Sequence, residues 1–224
     1  MKILESKEAV ILEPEAPANA AVVWLHGLGA DGKDFVPIAG ELRLPAAASV
    51  RYIFPHAPVR PVTINGGMPM RAWYDIVSLT RADQQDDAGI RASAQLAQNL
   101  IEAQVAAGVP RGRIVLAGFS QGGAIALHAG LRQAEPLGGI LALSTYLPLH
   151  TTIFTELTPA GRATPVLMCH GLYDNVVPLA LGSSSRDGLR QLGCAVEWHD
   201  YPMQHQVCEE EIDDLSAWFG KRWG

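Results

Sequence analysis

Short apolar runs rich in β-branched residues recur along the chain, and helix-compatible stretches separate most of them. The predicted strands cover residues 21–25, 50–54, 113–117, 139–143, 165–169 and 195–201. This alternation predicts an α/β fold with a mostly parallel central sheet and helices on both faces. Residues 8–13 alternate poorly and precede a Pro-Ala linker, so an antiparallel edge strand is expected there.

Two segments have the apolar spacing of amphipathic helices. In residues 86–107 one stripe contains Ile90, Ala94, Ala97, Ile101 and Val105, and Gly108 and Pro110 end the helix. Residues 209–219 place Ile212, Leu215 and Phe219 on a buried face and begin with three glutamates, which a helix dipole favours. Residues 122–131 contain no proline and are compatible with a third helix.

Length and charge narrow the class of protein. The 224 residues are enough for one domain, expected over 1–224, and the net charge is −6. No lysine-arginine cluster occurs, so neither nucleic acid nor an anionic membrane surface is an expected partner. Charges at Glu5, Lys7 and Glu8 disagree with a signal peptide, and no run has the length of a membrane span. We therefore expect a cytoplasmic protein without integral membrane association.

The cysteines indicate neither disulfides nor metal. Cys169, Cys194 and Cys208 cannot all pair, and none has a second cysteine or histidine at the spacing of metal ligands. We expect reduced thiols, two of them buried, and no metal.

Residues 113–124 read RIVLAGFSQGGA, a strand-like run that breaks at Gly118 and continues into small, helix-compatible residues. This is the pattern of a nucleophile elbow, in which a strained turn exposes the serine hydroxyl above the sheet. Ser120 is therefore the candidate nucleophile. The alternative is a tight strand-to-helix connection without chemistry.

A serine nucleophile needs a histidine base and a carboxylate that orients it, in the chain order nucleophile, acid, histidine. Asp174, in a turn after a predicted strand, is preferred to Asp187 in a predicted helix and Asp200 in a predicted strand. His205 follows the last strand, where its ring could reach back over the sheet. His150 and His170 precede Asp174, and His199 lies within a strand.

The oxyanion of such a reaction needs two backbone N–H donors, normally one from the residue after the nucleophile and one from the loop after an early strand. Here these are Gln121 and Leu28. The glycines of 26–29 suit a close approach of backbone amides, although the stretch alone could be a phosphate loop or an ordinary turn. His26 is expected to orient this loop. The signatures of a P-loop and of a dinucleotide site do not occur.

Together these segments resemble the acyl-protein thioesterase/carboxylesterase family of α/β hydrolases, also called the phospholipase/carboxylesterase family. The motifs are WLHGLGADG at 24–32, FPHAP at 54–58, TINGGMPMRAWYDI at 63–76, GFSQGG at 118–123 and HGLYDNVVP at 170–178. The resemblance implies the triad Ser120, Asp174 and His205 and the oxyanion donors Leu28 and Gln121, with no cofactor. The resemblance is greatest to bacterial carboxylesterases, which act on short to medium acyl esters. By analogy with the family, the protein could form a homodimer. Gln204 and Gln206 depart from the family pattern, in which a glycine precedes His205 and a small residue follows it.

The excursion at 57–80 is the family's other signature. Its Met68, Met70, Trp73 and Tyr74 suit contact with an acyl chain, and we assign substrate binding to Trp73 and Met70. Core packing beneath the loop is the equal alternative for these side chains, and Asp75 is expected to anchor the loop. The chain is thus expected to be a serine carboxylesterase, with an acyl-protein thioesterase or lysophospholipase as alternatives. A binding module that keeps the pocket without the chemistry is a remote third hypothesis.

Overall fold

The computed structural model describes residues 1–78 and 85–224, and the strands within these ranges form one large sheet and a small hairpin. The strands are β1 Lys2–Glu5, β2 Ala9–Glu13, β3 Ala20–Leu25, β4 Val50–Pro55, β5 Val59–Val62, β6 Met68–Arg71, β7 Ile114–Phe119, β8 Gly139–Leu143, β9 Val166–Gly171 and β10 Val196–Tyr201. The large sheet has the order β1-β2-β4-β3-β7-β8-β9-β10. From β4 to β10 the neighbours are parallel, whereas β1 and β2 pair antiparallel.

Helices cover both faces of the sheet, as predicted. They are α1 Val36–Glu41, α2 Asp87–Ala106, α3 Gln121–Gly130, α4 Ile153–Glu156, α5 Pro159–Ala163, α6 Leu179–Gln191 and α7 Glu209–Trp223, with short 3-10 turns at Thr63–Asn65 and Arg111–Arg113. Buried side chains of α2, α3 and α6 pack on one face, and those of α1 and α7 on the other. None of the helices in the described ranges is long and apolar enough to cross a membrane.

Successive residues of the central strands alternate between the two core layers. In β3, Val23 and Leu25 contact the layer of α2 and α3, while Val22 and Trp24 contact the layer of α1 and α7. All six residues of β3 are buried, as expected for a parallel strand covered on both faces. The carboxyl ends of these strands therefore open at a single edge, where the candidate residues meet.

Two features of the structure differ from the prediction. β2 pairs antiparallel with β4 as expected. It is not the edge strand, however, because β1 pairs with its other side and forms the edge of the sheet. All four residues of β1 are exposed, so this strand lacks the apolar pattern that reveals buried strands. The excursion at 57–80, expected to be a loop, contains the β5–β6 hairpin. Its last two residues, 79 and 80, lie outside the described ranges.

The cysteines agree with the prediction. Cys169 and Cys194 are buried and Cys208 is half-buried, and each of the three is a free thiol.

Glu211 is a buried acid in the first turn of α7. Its side chain has no exposed surface, and contacts with the Cys208 backbone and the Cys169 thiol compensate little for the loss of water. Burial raises the pKa of Glu211 from 4.5 to about 8. The folded protein therefore retains a proton that the unfolded chain releases above pH 4.5, and stability falls as the pH rises from there through 8.

We expect Glu211→Gln to increase the free energy of unfolding at pH 8 by roughly 2–4 kcal/mol, because the amide removes this proton linkage. At pH 4.5 the two proteins should differ little. Denaturant unfolding at both pH values measures the effect, with the exposed neighbour variant Glu210→Gln as the control. Equal gains from both variants would attribute the change to the general charge of the helix terminus.

Candidate active site

The chain turns sharply between β7 and α3, and Ser120 occupies the turn. Its backbone has φ 54° and ψ −119°, a conformation that side-chain-bearing residues rarely adopt. Ser120 N–H donates to Leu143 O at 2.8 Å, and the residue is 9% exposed. The strained serine at the carboxyl edge of the sheet is the arrangement that the sequence predicts for a nucleophile elbow.

Glycines allow the elbow to pack closely. A Cβ atom at Gly118 would lie 2.3 Å from the backbone of Gly122. A Cβ atom at Gly122 would lie 2.2 Å from Leu25 O, on the adjacent strand. Because both obstacles are backbone atoms, no side-chain movement could relieve them, and these positions require glycine.

Asp174 and His205 lie together, although 31 residues separate them in the sequence. His205 Nδ1 is 2.6 Å from Asp174 Oδ2, and the aspartate side chain is fully buried. Asp174 Oδ1 accepts hydrogen bonds from the N–H groups of Val176 and Val177. The carboxylate is thus held by its own turn, and one oxygen is left to orient the imidazole.

The His205 ring also packs on the residue before Ser120. Its centroid is 4.7 Å from that of the Phe119 ring. No hydrogen bond joins Ser120 Oγ to His205 within the residues that the structure describes. Contacts of a nucleophile and its base are commonly loose before substrate binds, so this geometry is compatible with proton transfer.

The alternative acids and bases have other partners. His170 is buried with its Nε2 3.6 Å from Asp174 Oδ2, but this nitrogen donates to Val177 O at 2.9 Å, and burial lowers the pKa of the ring. His199 lies between Glu197 and Asp214. The remaining alternatives lie apart from the His205–Asp174 pair: Asp187 pairs with Arg186, Asp200 accepts from Trp198, and His150 is exposed.

The loop after β3 lies against the elbow. A Cβ atom at Gly27 would be 3.6 Å from Ser120 Cβ. Within the described ranges, the N–H groups of Leu28 and Gln121 donate no hydrogen bond to the protein, whereas Gly29 N–H donates to Arg71 O. Two unengaged donors beside a serine suit an oxyanion.

His26 orients this loop, as the sequence predicts. Its Nδ1 is 2.7 Å from Gly27 O, and its Nε2 accepts from Ala57 N–H at 3.0 Å. Burial lowers the pKa of His26 to about 4, so the ring is neutral at physiological pH. A neutral ring with its proton on Nδ1 satisfies both contacts.

The side chain of Gln121 links the excursion to the elbow, a role that the sequence did not indicate. Gln121 Oε1 accepts from Trp73 N–H at 2.8 Å, and its Nε2 donates to Tyr74 O at 2.7 Å. The Trp73 indole is fully buried and donates to His26 O. These contacts favour core packing for Trp73, one of the two roles that the sequence allows for it.

Met70 and Asp75 lie farther out on the excursion. Met70 is half-buried, and its sulfur lies 3.8 Å from the position of a Cβ atom on Gly29. Met70 thus borders the loop that carries Leu28. Asp75 accepts from the N–H and the hydroxyl of Thr63, which is the anchoring contact expected for it.

Comparison with known proteins places the chain in a family. The model of the phospholipase/carboxylesterase family matches residues 6–221. The chain belongs to this family. This family member is 37% identical to acyl-protein thioesterase 1 of Neurospora crassa, over 99% of its own length and 94% of the relative. It is 40% identical to acyl-protein thioesterase 1 of Mycosarcoma maydis, over 96% of each chain.

Solved structures of similar proteins share the fold. Arabidopsis thaliana SOBER1 superposes with a TM-score of 0.87 at 28% identity, covering 92% of this chain and 100% of the other. Zea mays acyl-protein thioesterase 2 has a TM-score of 0.84 at 29% identity, with 96% and 98% covered. A phospholipase/carboxylesterase from Dyadobacter fermentans has a TM-score of 0.75 at 26% identity, with 95% of both chains covered. The α/β-hydrolase fold and the family membership are thereby confirmed.

Proposed function

We propose that this hydrolase cleaves acyl esters of short to medium chain length, with Ser120 as nucleophile, His205 as base and Asp174 as the orienting acid. The observation that carries the proposal is the strained Ser120 beside a hydrogen-bonded His205–Asp174 pair. A tight connection without chemistry would not need a buried carboxylate 2.6 Å from a histidine at the same edge of the sheet.

The proposed reaction has two halves. Ser120 Oγ attacks the acyl carbon while its proton passes to His205 Nε2, and Asp174 Oδ2 stabilises the imidazolium through Nδ1–H. The carbonyl oxygen becomes an oxyanion between the N–H groups of Leu28 and Gln121. When the carbon–oxygen bond breaks, His205 gives its proton to the leaving alcohol. Water, deprotonated by His205, then releases the acid and restores Ser120.

Cleavage of acyl-thioesters is the second candidate function. The curated relatives from Neurospora crassa and Mycosarcoma maydis are named acyl-protein thioesterases, and the same acyl-enzyme would form from either substrate. Only the leaving group differs, since a thiol departs in place of an alcohol. The apolar residues Met68 and Met70 of β6 would serve an acyl chain in both cases.

A matched pair of substrate series tests the two functions. We expect the protein to hydrolyse p-nitrophenyl esters with a maximum kcat/KM between butyrate and octanoate and lower values for acetate and palmitate. Acyl-thioesters of the same chain lengths provide the comparison. A higher kcat/KM for thioesters at every length would assign the thioesterase function. Failure to hydrolyse either series, together with failure of a fluorophosphonate to label the protein, would support the binding module.

Three further properties remain predictions from the sequence: one domain over residues 1–224, a cytoplasmic location and a homodimer.

A further inference from the structure

The proposed oxyanion donor Gln121 N–H shares a peptide unit with the carbonyl of Ser120. Every peptide bond of the described residues is trans, so this N–H and this C=O point in opposite directions. The carbonyl accepts two hydrogen bonds, from Thr145 Oγ1 at 2.6 Å and from Ala124 N–H at 3.1 Å. Groups on the far side of the peptide therefore set the direction of the donor.

We propose that Thr145 is a positioning residue for the oxyanion hole, whose hydroxyl orients and polarises the Ser120–Gln121 peptide. A hydrogen bond to an amide carbonyl draws electron density toward oxygen and makes the N–H of the same amide a stronger donor. The Ala124 bond is the ordinary first bond of α3 and would form in any helix. The bond from Thr145 is additional, and it comes from a different strand end.

The surroundings of Thr145 allow its hydroxyl little freedom. Its side chain is fully buried, and the methyl carbon lies 2.8 Å from the position of a Cβ atom on Gly123. The methyl group thus occupies the space that Gly123 leaves open. A rotation that took the hydroxyl away from Ser120 O would also move the methyl group out of this space.

The backbone before Thr145 is strained. Ser144 has φ 47°, a conformation that costs free energy for a residue other than glycine, and its N–H donates to Cys169 O at 2.8 Å. The positive φ turns the chain directly after β8, so that the next side chain returns to the elbow. The hydrogen bond from Thr145 thus joins two turns that both contain a residue with positive φ, Ser120 and Ser144.

This inference rests on the proposed function, and three variants of Thr145 test it. Thr145→Val keeps the shape and loses the hydroxyl, Thr145→Ser keeps the hydroxyl, and Thr145→Ala is a second hydroxyl-free variant in case valine impairs folding. We expect the hydroxyl-free variants to lower kcat by roughly 10-fold with little change in KM, a fraction of the value of a whole oxyanion donor. The serine variant should stay within about 3-fold of wild type.

Thr164→Val is the matched control. Thr164 is also fully buried and donates to a carbonyl, Ala160 O at 2.9 Å, but it lies at the end of α5, away from Ser120. It should lower thermal stability as Thr145→Val does and leave kcat unchanged.

Inhibition by an alkyl trifluoromethyl ketone gives a second readout. Ser120 Oγ adds to the ketone carbon, the hydroxyl proton moves to His205, and the ketone oxygen becomes an oxyanion in the hole. The inhibition constant should rise across the Thr145 variants by the factor by which kcat/KM falls. Wild-type kcat in Thr145→Val or Thr145→Ala would overturn the inference. Loss of the proposed function would show differently, as wild-type protein inactive on every ester and thioester and unlabelled by fluorophosphonate.

Discussion

Replacing Ser120 by alanine is expected to lower kcat by on the order of 10⁴–10⁶-fold, because the acyl-enzyme can no longer form. A residual rate above that of water should remain, since the oxyanion donors and the binding surface persist. KM should change little. The measurement is steady-state hydrolysis of p-nitrophenyl butyrate, with labelling by a fluorophosphonate in parallel. The phosphonyl group becomes attached to Ser120 Oγ as fluoride leaves, so the variant should not be labelled.

Ser184→Ala is the control, because this serine lies exposed on α6. It should retain the wild-type rate and labelling. If Ser120→Ala kept both, the nucleophile would have to lie elsewhere and the elbow would be only a structural connection.

Asp174→Asn is expected to lower kcat by roughly 10³–10⁴-fold with the fold intact. The amide oxygen can still accept from the N–H groups of Val176 and Val177. The amide NH₂ then faces His205 Nδ1, which must become an acceptor, and the ring proton moves to Nε2. A ring protonated at Nε2 cannot take the proton of Ser120, so acylation fails although the geometry is kept.

Asp200→Asn provides the comparison for this variant, since Asp200 is an acid of β10 that lies outside the pair. It should change kcat by less than about 3-fold, as a surface substitution does. Rates and thermal midpoints of both variants would be measured at pH 7. A rate for Asp174→Asn within 10-fold of wild type would remove Asp174 from its proposed role.

Features encoded by neighbouring residues were predicted well. The helix expected at 86–107 is observed at Asp87–Ala106, and Asp86 caps it by accepting from Gly89 N–H. The turn chemistry of GFSQGG predicted the strained backbone of Ser120. The chain order of acid and histidine selected the two residues that the structure joins at 2.6 Å.

Features that depend on contacts between distant segments do not follow from the sequence pattern alone. The sequence allows Trp73 either to bind substrate or to pack in the core, and the contact that favours packing is made with His26, 47 residues away in the chain. Met70 keeps its assignment as a prediction, because it lies beside Gly29 and is half-buried. The pattern also does not predict the β5–β6 hairpin, because its strands are mostly exposed and lack an apolar alternation.

By itself, the sequence determined the alternation of strands and helices, the elbow and the family of hydrolases, because periodicity and turn chemistry act between residues close together in the chain. Only the tertiary structure decided which groups surround the elbow. The bonds of Gln121 to the excursion and of Thr145 to Ser120 O join residues 48 and 25 positions apart. Such contacts leave no local pattern, since they depend on where the sheet brings its strand ends together.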